Sequence, residues 1–229
     1  MPRDQFTHVT TWVFDLDNTL YPPEMGLFPQ IEVRMTAWVM RNLGLDQACA
    51  DALRRDYWQR YGTTLSGLIA EHGIDPLDYL ADVHDVDFTV LRPSPELARV
   101  IARLPGRRII YTNADGIYAR KVLSARGLDG VFDAIYAIED AGFHPKPQAR
   151  AFRAIFDKDG LDPSRAAMFE DDPKNLAVPH QLGMTTVHVA PTPHVAEHIQ
   201  HHTADLHGFL KALLPPATFR PAAPVSDPD

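Results

Sequence analysis

The sequence is poor in cysteine, in basic residues and in long apolar runs. Cys49 is the only cysteine among 229 residues, so no disulfide can form within the chain, as in most proteins of a reducing compartment. The N-terminal residues lack the apolar segment of a signal peptide, and no apolar run approaches the ~18 residues that a membrane-spanning helix needs. These absences predict a cytoplasmic protein without a membrane partner.

The scarcity of basic residues also limits the choice of ligand. The chain has 22 lysines and arginines against 30 aspartates and glutamates, which gives a formal net charge of -8. This charge repels a polyanion at long range, so we expect no nucleic-acid polymer as a partner. A small anionic ligand would need local positive charge from a few side chains, from helix N-termini or from a metal ion.

What the sequence does contain is an alternation of short β-favouring apolar runs and amphipathic helical patterns. Strands are expected at residues 11–14, 109–111, 131–138, 166–169 and 185–189. From residue 93 onward, single helical segments separate these runs, and the first of them starts at Ser94-Pro95-Glu96. Strands joined by single helices predict βαβ units, and therefore an α/β fold with a Rossmann-like parallel sheet.

Residues 22–92 interrupt this alternation, because their apolar spacing is helical and no strand is evident. We interpret them as a small all-helical domain inserted into an α/β core that comprises residues 1–21 and 93–214. Residues 215–229 are rich in proline and alanine without periodicity and are expected to be a loosely held tail.

The cysteine and the tryptophans of the chain are first of all packing candidates. Cys49 falls on the expected buried face of an insertion helix, which predicts a core position. Trp12, Trp38 and Trp58 are also expected to pack in the interior, with the alternative that Trp38 or Trp58 lines a pocket for a nucleobase.

Four polar clusters lie at the predicted carboxyl ends of strands, where open α/β sheets bind their ligands. The clusters are Asp15-Leu16-Asp17-Asn18-Thr19, Thr112-Asn113, Lys146 and Glu170-Asp171-Asp172. A carboxylate can attack phosphorus and so divide one difficult displacement into two. Hydrogen-bond donors and a lysine can stabilise the charge of the transferred group, and carboxylates suit Mg²⁺. The clusters therefore predict phosphoryl transfer.

Asp17 needs a particular backbone conformation to take part in this chemistry. Asp17 can reach the leaving-group oxygen only if the chain turns sharply, and Asn18 is a residue type that begins such turns.

These clusters resemble the four motifs of the haloacid dehalogenase superfamily. Asp15-x-Asp17-x-Thr19, Thr112, Lys146 and Glu170-Asp171 match the motifs in order, over nearly the whole chain. The insertion is similar in size and helical character to the C1-type cap of subfamily I. The resemblance implies the corresponding fold and a Mg²⁺-dependent reaction through a covalent aspartyl intermediate.

The resemblance also implies roles for the matched residues. Asp15 would be the nucleophile and a metal ligand, and Asp17 the general acid and base with its backbone carbonyl on the metal. Thr112 would hold the phosphate and Lys146 would stabilise charge. Two further residues are candidates for substrate binding: Thr19, which would support the first loop, and Asn113, whose amide can donate to a phosphate oxygen.

For the metal site, the resemblance implies Asp171 as a ligand, with Glu170 reaching the ion directly or through water. Asp172 is a third consecutive acid, so the pair that corresponds to the family motif is not fixed by the motif alone. The expected end of the strand after Phe169 favours Glu170 and Asp171.

Asp17 separates two reactions within the superfamily. Dehalogenases are similar in their nucleophilic aspartate but lack an acid at the position of Asp17. A halide leaves without protonation, whereas an alkoxide needs a proton. The sequence therefore favours hydrolysis of phosphate monoesters.

A narrower resemblance links the chain to pyrimidine 5'-nucleotidases. It rests on the segments DLDNTLYPPEMGLF, HPKPQARAF and FEDDPKNL and on the pair Arg34-Met35. It implies UMP- or CMP-like substrates, with Arg34 of the insertion and Tyr21 as candidates for contacts with them. The alternatives are a phosphoglycolate or sugar-phosphate phosphatase, a phosphomutase resembling β-phosphoglucomutase, and a catalytically silent module that binds phosphate ligands.

The histidine-rich stretch 194–207 suggests a second metal site, because His194, His198 and His202 have helical i, i+4 spacing. Pro191 and Pro193 interrupt this region, which lies far from the four motifs in sequence. A solvated, partly irregular surface is therefore the favoured interpretation.

Overall fold

The computed structural model describes residues 2–215, and within them six strands form one sheet. The strands are β1 (Thr11–Phe14), β2 (Arg107–Tyr111), β3 (Ala134–Tyr136), β4 (Ala166–Glu170), β5 (Thr185–Val189) and β6 (His201–Thr203). They lie in the order β3-β2-β1-β4-β5-β6 and every neighbouring pair is parallel. The predicted α/β fold is confirmed.

Helices provide the crossovers that parallel strands require. The helices are α1 (Leu27–Leu43), α2 (Gln47–Tyr61), α3 (Thr64–His72), α4 (Pro76–Val83), α5 (Pro95–Ala102), α6 (Gly116–Ala125), α7 (Ala149–Asp159), α8 (Ala177–Gln181) and α9 (Leu206–Leu213). Among the described residues, no helix combines the length and the apolar character needed to cross a membrane.

The central strands are buried on both faces, which explains their continuous apolar runs. Every residue of β1, β4 and β5 is buried. Along β1, Trp12 and Phe14 belong to one hydrophobic cluster and Val13 to another on the opposite face of the sheet. Phe14 stacks on Phe169 of β4 with ring centroids 4.7 Å apart, so the two strands are tied side by side.

The register of the sheet brings the motif-bearing strand ends to one level. Phe14 pairs with Ile110 of β2 and with Phe169 of β4. The residues that follow these three in sequence therefore lie at the same edge of the sheet; they are Asp15, Tyr111 and Glu170. The candidate site is built at this edge.

The strands differ from prediction at the margins of the sheet. The strand expected at 131–138 is limited to Ala134–Tyr136. Strand β6 was not predicted, because its residues His201, His202 and Thr203 are polar and half-buried, as an edge strand permits. The histidine-rich stretch is thus irregular over 194–200 and then pairs with β5.

Helices α1 to α4 all lie between β1 and β2 in sequence and pack against one another. Contacts join α1 to α2 and α4, and α3 to α2 and α4. No strand occurs in residues 22–92, as expected. Of the tail expected at 215–229, residues 216–229 lie outside the described residues.

The core position predicted for Cys49 is wrong, because the side chain is exposed. Cys49 lies in the first turn of α2, where its backbone amide donates to the capping side chain of Asp46 at 2.8 Å. The buried residues of α2 are Ala50 and Tyr57, so the apolar face begins one residue later, about 100° around the helix.

The three tryptophans have different environments. Trp12 is in the core and Trp38 packs edge-on against Tyr79, with ring centroids 5.0 Å apart. Trp58 is 48% exposed, which contradicts its expected place in the interior.

Gly67 allows α2 and α3 to approach closely. An added Cβ would lie closer than 3.0 Å to three side-chain atoms of Tyr57, whose hydroxyl is itself 2.8 Å from Nε2 of His72. Alanine in place of glycine normally stabilises a helix interior by about 0.5–1 kcal/mol. Here we expect Gly67→Ala to lower the free energy of unfolding by about 1–3 kcal/mol, measured by urea denaturation.

The exposed Ala70 of the same helix provides the control. Ala70→Gly should cost about 0.5–1 kcal/mol through helix propensity alone, without a steric contact. A Gly67→Ala variant that is more stable than the wild type would contradict the packing argument.

Candidate active site

The site is centred on the buried side chain of Lys146. Its Nζ donates to Oδ1 of Asp15 at 2.6 Å, to Oε2 of Glu170 at 2.6 Å and to the carbonyl oxygen of Tyr111 at 3.0 Å. Lys146 is 1% exposed. A buried ammonium group is stable only with such partners, so the strand ends of β1, β2 and β4 are joined through this one cation.

Asn113 holds the loop that carries Lys146. The backbone amide of Lys146 donates to Oδ1 of Asn113 at 2.8 Å, and Nδ2 of Asn113 donates back to the carbonyl oxygen of Lys146 at 3.2 Å. Asn113 lines the cavity, as expected for a substrate-binding candidate. However, its amide is engaged with the backbone, so it positions the lysine.

Three carboxylates meet around this lysine. Oxygen atoms of Asp15, Glu170 and Asp171 all lie within 4.8 Å of one another. Burial and the neighbouring carboxylate of Glu170 raise the pKa of Asp15 and that of Asp171 above their usual range. One ammonium group therefore faces three carboxyl groups, and the excess of hard oxygen donors fits a divalent cation such as Mg²⁺.

Hydrogen bonds from the first motif and from β5 orient Asp171. Nδ2 of Asn18 donates to Oδ2 of Asp171 at 3.3 Å, and Nε2 of His188 lies 2.9 Å from its carbonyl oxygen. Asp172 lies apart from the carboxylate cluster. Its side chain accepts from the amide of Lys174 at 3.2 Å and caps the short 3₁₀ turn Pro173–Leu176.

Asp17 is brought into the site by the turn that follows it. Asn18 has φ +58°, in the left-handed region, and the amide of Leu20 donates to the carbonyl oxygen of Leu16 at 3.0 Å. Oδ1 of Asp17 accepts from the hydroxyls of Tyr21 and Tyr118, each at 2.6 Å. Burial raises the pKa of Asp17, and the two hydroxyls partly offset this effect.

Both threonines of the motifs are buried. Thr112 is 1% exposed, and its hydroxyl accepts from the amide of Ala114 at 3.0 Å, which supports the turn after β2. Thr19 is 4% exposed, and within residues 2–215 its hydroxyl has no hydrogen-bond partner. Its backbone, not its side chain, takes part in the first loop through a 3.4 Å bond to Leu16.

A cavity of about 610 Å³ separates these groups from the helical insertion. The four polar clusters contribute nine residues to its lining: Asp15, Asp17, Asn18, Thr112, Asn113, Lys146, Glu170, Asp171 and Asp172. The insertion contributes apolar and aromatic side chains from α1, α2 and α4 together with Arg54 and Arg55. The cavity is large enough for a small organic phosphate beneath the helices.

Arg34 does not line this cavity, in contrast to its expected role. Its Nε donates to the carbonyl oxygen of Asp82 at 2.6 Å, and its guanidinium also pairs with Asp85 at 3.3 Å. Arg34 therefore ties α1 to the end of α4. Met35, one residue and about 100° further around α1, faces the cavity instead.

Arg54 was not anticipated. Its side chain is 14% exposed, it donates to the hydroxyl of Thr36 at 2.6 Å, and its buried Nε has no partner among the described residues. Arg54 lies three and four residues from Tyr57 and Ala50, which are both buried in α2. A charged residue on the apolar face of a helix is the signal that would have identified it.

Three contacts join the insertion to the sheet side of the cavity. Nζ of Lys174 lies 3.3 Å from the ring centre of Trp58, and Nε2 of Gln148 donates to the carbonyl oxygen of Tyr61 at 3.2 Å. On the opposite side, Nδ1 of His84 is 2.5 Å from Oδ2 of Asp115. These contacts link α2 and the end of α4 to the α/β part of the chain.

The two chain connections to the insertion are held by one buried guanidinium. Arg126 donates to the carbonyl oxygen of Leu20 at 3.1 Å and also to that of Arg92. It is 5% exposed, and burial lowers its pKa because no carboxylate pairs with it among residues 2–215. The outgoing and returning segments are thus bonded to the same side chain.

Comparison with known proteins identifies a family. A family model described as a haloacid dehalogenase-like hydrolase matches residues 9–183. Phosphate metabolism protein 8 of Saccharomyces cerevisiae is 26% identical over 211 residues. That alignment covers 84% of this chain and 64% of the yeast protein, so the chain spans less than two thirds of its relative.

Solved structures with the same fold include a phosphatase and a dehalogenase. A HAD phosphatase from Thermococcus onnurineus is 18% identical with a TM-score of 0.61, and the match covers 90% of this chain and 98% of that one. A magnesium-bound HAD-hydrolase, YfnB of Bacillus subtilis, is 18% identical with a TM-score of 0.58, and the match covers 90% of this chain and 98% of that one. L-2-haloacid dehalogenase from Xanthobacter autotrophicus is 17% identical with a TM-score of 0.51, and the match covers 81% of this chain and 79% of that one.

The central position of Lys146 leads to a stability prediction. Lys146→Met would leave the carboxylates of Asp15 and Glu170 buried without their cation. Removing one member of a buried pair costs about 3–5 kcal/mol, so we expect the variant to unfold at a clearly lower urea concentration at neutral pH.

Lys158→Met is the matched control, because Lys158 forms a 2.6 Å pair with Asp140 but is 54% exposed. This variant should unfold close to the wild type. Equal midpoints for the two variants would show that the buried lysine contributes no more than a surface one.

Proposed function

The chain belongs to the haloacid dehalogenase-like hydrolase family, and within it we propose a Mg²⁺-dependent phosphatase that hydrolyses small phosphate monoesters. The observation that carries this proposal is Asp17. Its carboxyl group lines the same cavity as Asp15 and Lys146 and can give a proton to a leaving oxygen. A dehalogenase has no need of this second acid, because a halide leaves unprotonated.

We assign Asp15 as the nucleophile. Its Oδ1 is held by Lys146, whereas Oδ2 accepts no hydrogen bond from residues 2–215 and is available for attack. As the bond from this oxygen to phosphorus forms, the bond from phosphorus to the ester oxygen breaks. The positive charge of Lys146 stabilises the transferring phosphoryl group. Thr112, which follows β2 and lines the same cavity, would hold the phosphate.

Asp17 acts in both halves of the reaction. Its protonated carboxyl gives a proton to the departing ester oxygen, which leaves as an alcohol. The resulting carboxylate then takes a proton from the water that attacks phosphorus, so that the aspartyl-phosphate is cleaved to inorganic phosphate and Asp15 is restored.

The residues present fit a magnesium ion. Asp15, Asp171 and the backbone carbonyl of Asp17 would hold it, with Glu170 acting directly or through water. When bound, the ion would neutralise charge on the carboxylates and on the phosphoryl group.

We further propose that residues 22–92 form a cap domain of the C1 type over the α/β core of residues 1–21 and 93–214. The packing of α1 to α4 against one another supports this division. The cap would exclude water and select the leaving group, since its side chains form the opposite wall of the cavity.

Among small phosphates, we propose pyrimidine nucleotides as substrates. The support is the resemblance of the sequence segments around the motifs, together with the cap wall of the cavity. There, Trp58 offers a partly exposed aromatic face. Arg54 lines the same wall, where its guanidinium pairs with Asp51 at 3.6 Å and with Glu32 at 3.7 Å. The name of the yeast relative, phosphate metabolism protein 8, agrees with the general class.

The nucleophile can be tested by release of inorganic phosphate from UMP, CMP, dTMP, AMP, phosphoglycolate and sugar phosphates. We expect release that needs Mg²⁺, stops with EDTA and falls at least about a thousandfold in Asp15→Asn. Asp129→Asn, the same change at an exposed loop position, is the control and should retain activity.

Retention of activity in Asp15→Asn would rule out Asp15 as the nucleophile. Isomerised sugar phosphate without phosphate release would indicate a mutase. Binding without turnover of any compound by the wild type would favour a silent binding module.

Substrate choice can be tested with Trp58→Ala. If the indole stacks on the base, KM for UMP and CMP should rise roughly tenfold, because stacking on an aromatic residue contributes about 1–3 kcal/mol. KM for phosphoglycolate, which has no base, should change little in the same protein preparation. An equal rise for both substrates would assign Trp58 to cap placement through Lys174, not to base recognition.

A further inference from the structure

The carboxylate of Asp17 has an asymmetric environment. The hydroxyls of Tyr21 and Tyr118 both donate to Oδ1, each at 2.6 Å. Oδ2 accepts no hydrogen bond from residues 2–215, although Asp17 lines the cavity. One carboxylate oxygen of this cavity-lining residue therefore has two donors, while the other has none among the described residues.

The two hydroxyls come from separate parts of the chain, and both parts contact α6. Tyr21 follows the turn at Asn18, and the preceding carbonyl of Leu20 accepts from Arg126 at 3.1 Å. Tyr118 lies in the first turn of α6, where its amide donates to the capping side chain of Asp115 at 2.8 Å. Each tyrosine is only 1% exposed.

The ring of Tyr118 is also packed from the helical insertion. His84, at the end of α4, stacks on it with ring centroids 4.2 Å apart and planes 22° apart. Nδ1 of His84 pairs with Asp115, which caps the same helix that carries Tyr118. The position of this hydroxyl thus depends on contacts from both the sheet side and the insertion.

We propose that Tyr21 and Tyr118 are positioning residues that fix Oδ1 of Asp17 and leave Oδ2 to carry the transferable proton. A carboxyl proton on Oδ1 would meet two phenolic hydrogens already directed at that oxygen, so the neutral acid is protonated on Oδ2. Two donors on one oxygen also prevent rotation of the carboxyl group. This inference rests on the proposed phosphatase function and deepens it.

A purely structural role is the competing explanation, since a buried carboxylate needs hydrogen bonds in any case. The two explanations differ in their dependence on the leaving group. Positioning of an acid matters for an alkoxide, which must be protonated, and much less for p-nitrophenolate, which leaves as a stable anion. A structural defect affects both substrates equally.

The test uses three variants: Tyr21→Phe, Tyr118→Phe and the double variant. For each, kcat/KM for the best alkyl phosphate of the substrate panel is compared with kcat/KM for p-nitrophenyl phosphate. This constant reports steps up to loss of the leaving group, before Asp17 acts as a base. The ratio of the two constants is independent of the fraction of folded enzyme, so a partly unfolded variant remains informative.

We expect each single variant to lower the alkyl-to-aryl ratio about 10-fold and the double variant about 100-fold, within the range of general acid catalysis. Tyr136→Phe is the matched control. Tyr136 is also a buried tyrosine whose hydroxyl donates to a carboxylate, Oδ1 of Asp159 at 2.9 Å, but it does not line the cavity. Its ratio should equal that of the wild type.

An unchanged ratio in the double variant of an active enzyme would overturn the positioning role and leave the phosphatase function intact. A ratio that falls equally in Tyr136→Phe would do the same, because the effect would not be specific to Asp17. A wild-type protein that releases no phosphate from either compound would overturn the proposed function and this inference with it.

Discussion

A buried lysine ammonium group is stable only beside negative charge. Lys146 pairs with the carboxylates of Asp15 and Glu170, which lie at the ends of two adjacent strands. The requirement is mutual, since either carboxylate would be costly to bury without the cation. The reciprocal bonds between Asn113 and the backbone of Lys146 fix the lysine from a third strand end. Asp15, the proposed nucleophile, is therefore held in place by the same interaction that joins the strand ends at the edge of the sheet. The carboxylates outnumber the lysine, which fits the proposed divalent cation.

Much of this arrangement was predictable from sequence, because three of the four motifs lie at the ends of β1, β2 and β4 and parallel strands place their carboxyl ends together. Lys146 is not at a strand end as expected, since the 3₁₀ turn Ile138–Ala141 separates it from β3. Asp15, Lys146, Glu170 and Asp171 converge as expected. The central strands were also predictable, since double burial makes them continuous apolar runs. Strand β6 escaped prediction because an edge strand needs pairing but little apolar surface, and its histidine-rich sequence gives no such signal.

The helical insertion was predictable only as a set of helices, because the facing of each helix depends on its neighbours. One residue changes the direction of a side chain by about 100°, which separates the exposed Cys49 from the buried Ala50 and the outward Arg34 from Met35 in the cavity. The amide of Asn113 could equally have faced a phosphate or the backbone, and residue type does not decide between them. The side chains that line the insertion's wall of the cavity could thus be identified only from the structure.

The positions of the acid and of the insertion are physically connected. Asp17 reaches the cavity through the left-handed turn at Asn18, and its Oδ1 is held by Tyr118, on which His84 of the insertion stacks. A displacement of α4 would remove a packing partner of that tyrosine and separate His84 from Asp115. In the proposed reaction, the acid Asp17 is therefore best ordered when the insertion covers the cavity. This is also when bulk water would have least access to an intermediate on Asp15. One set of contacts thus serves both the orientation of the acid and the exclusion of water.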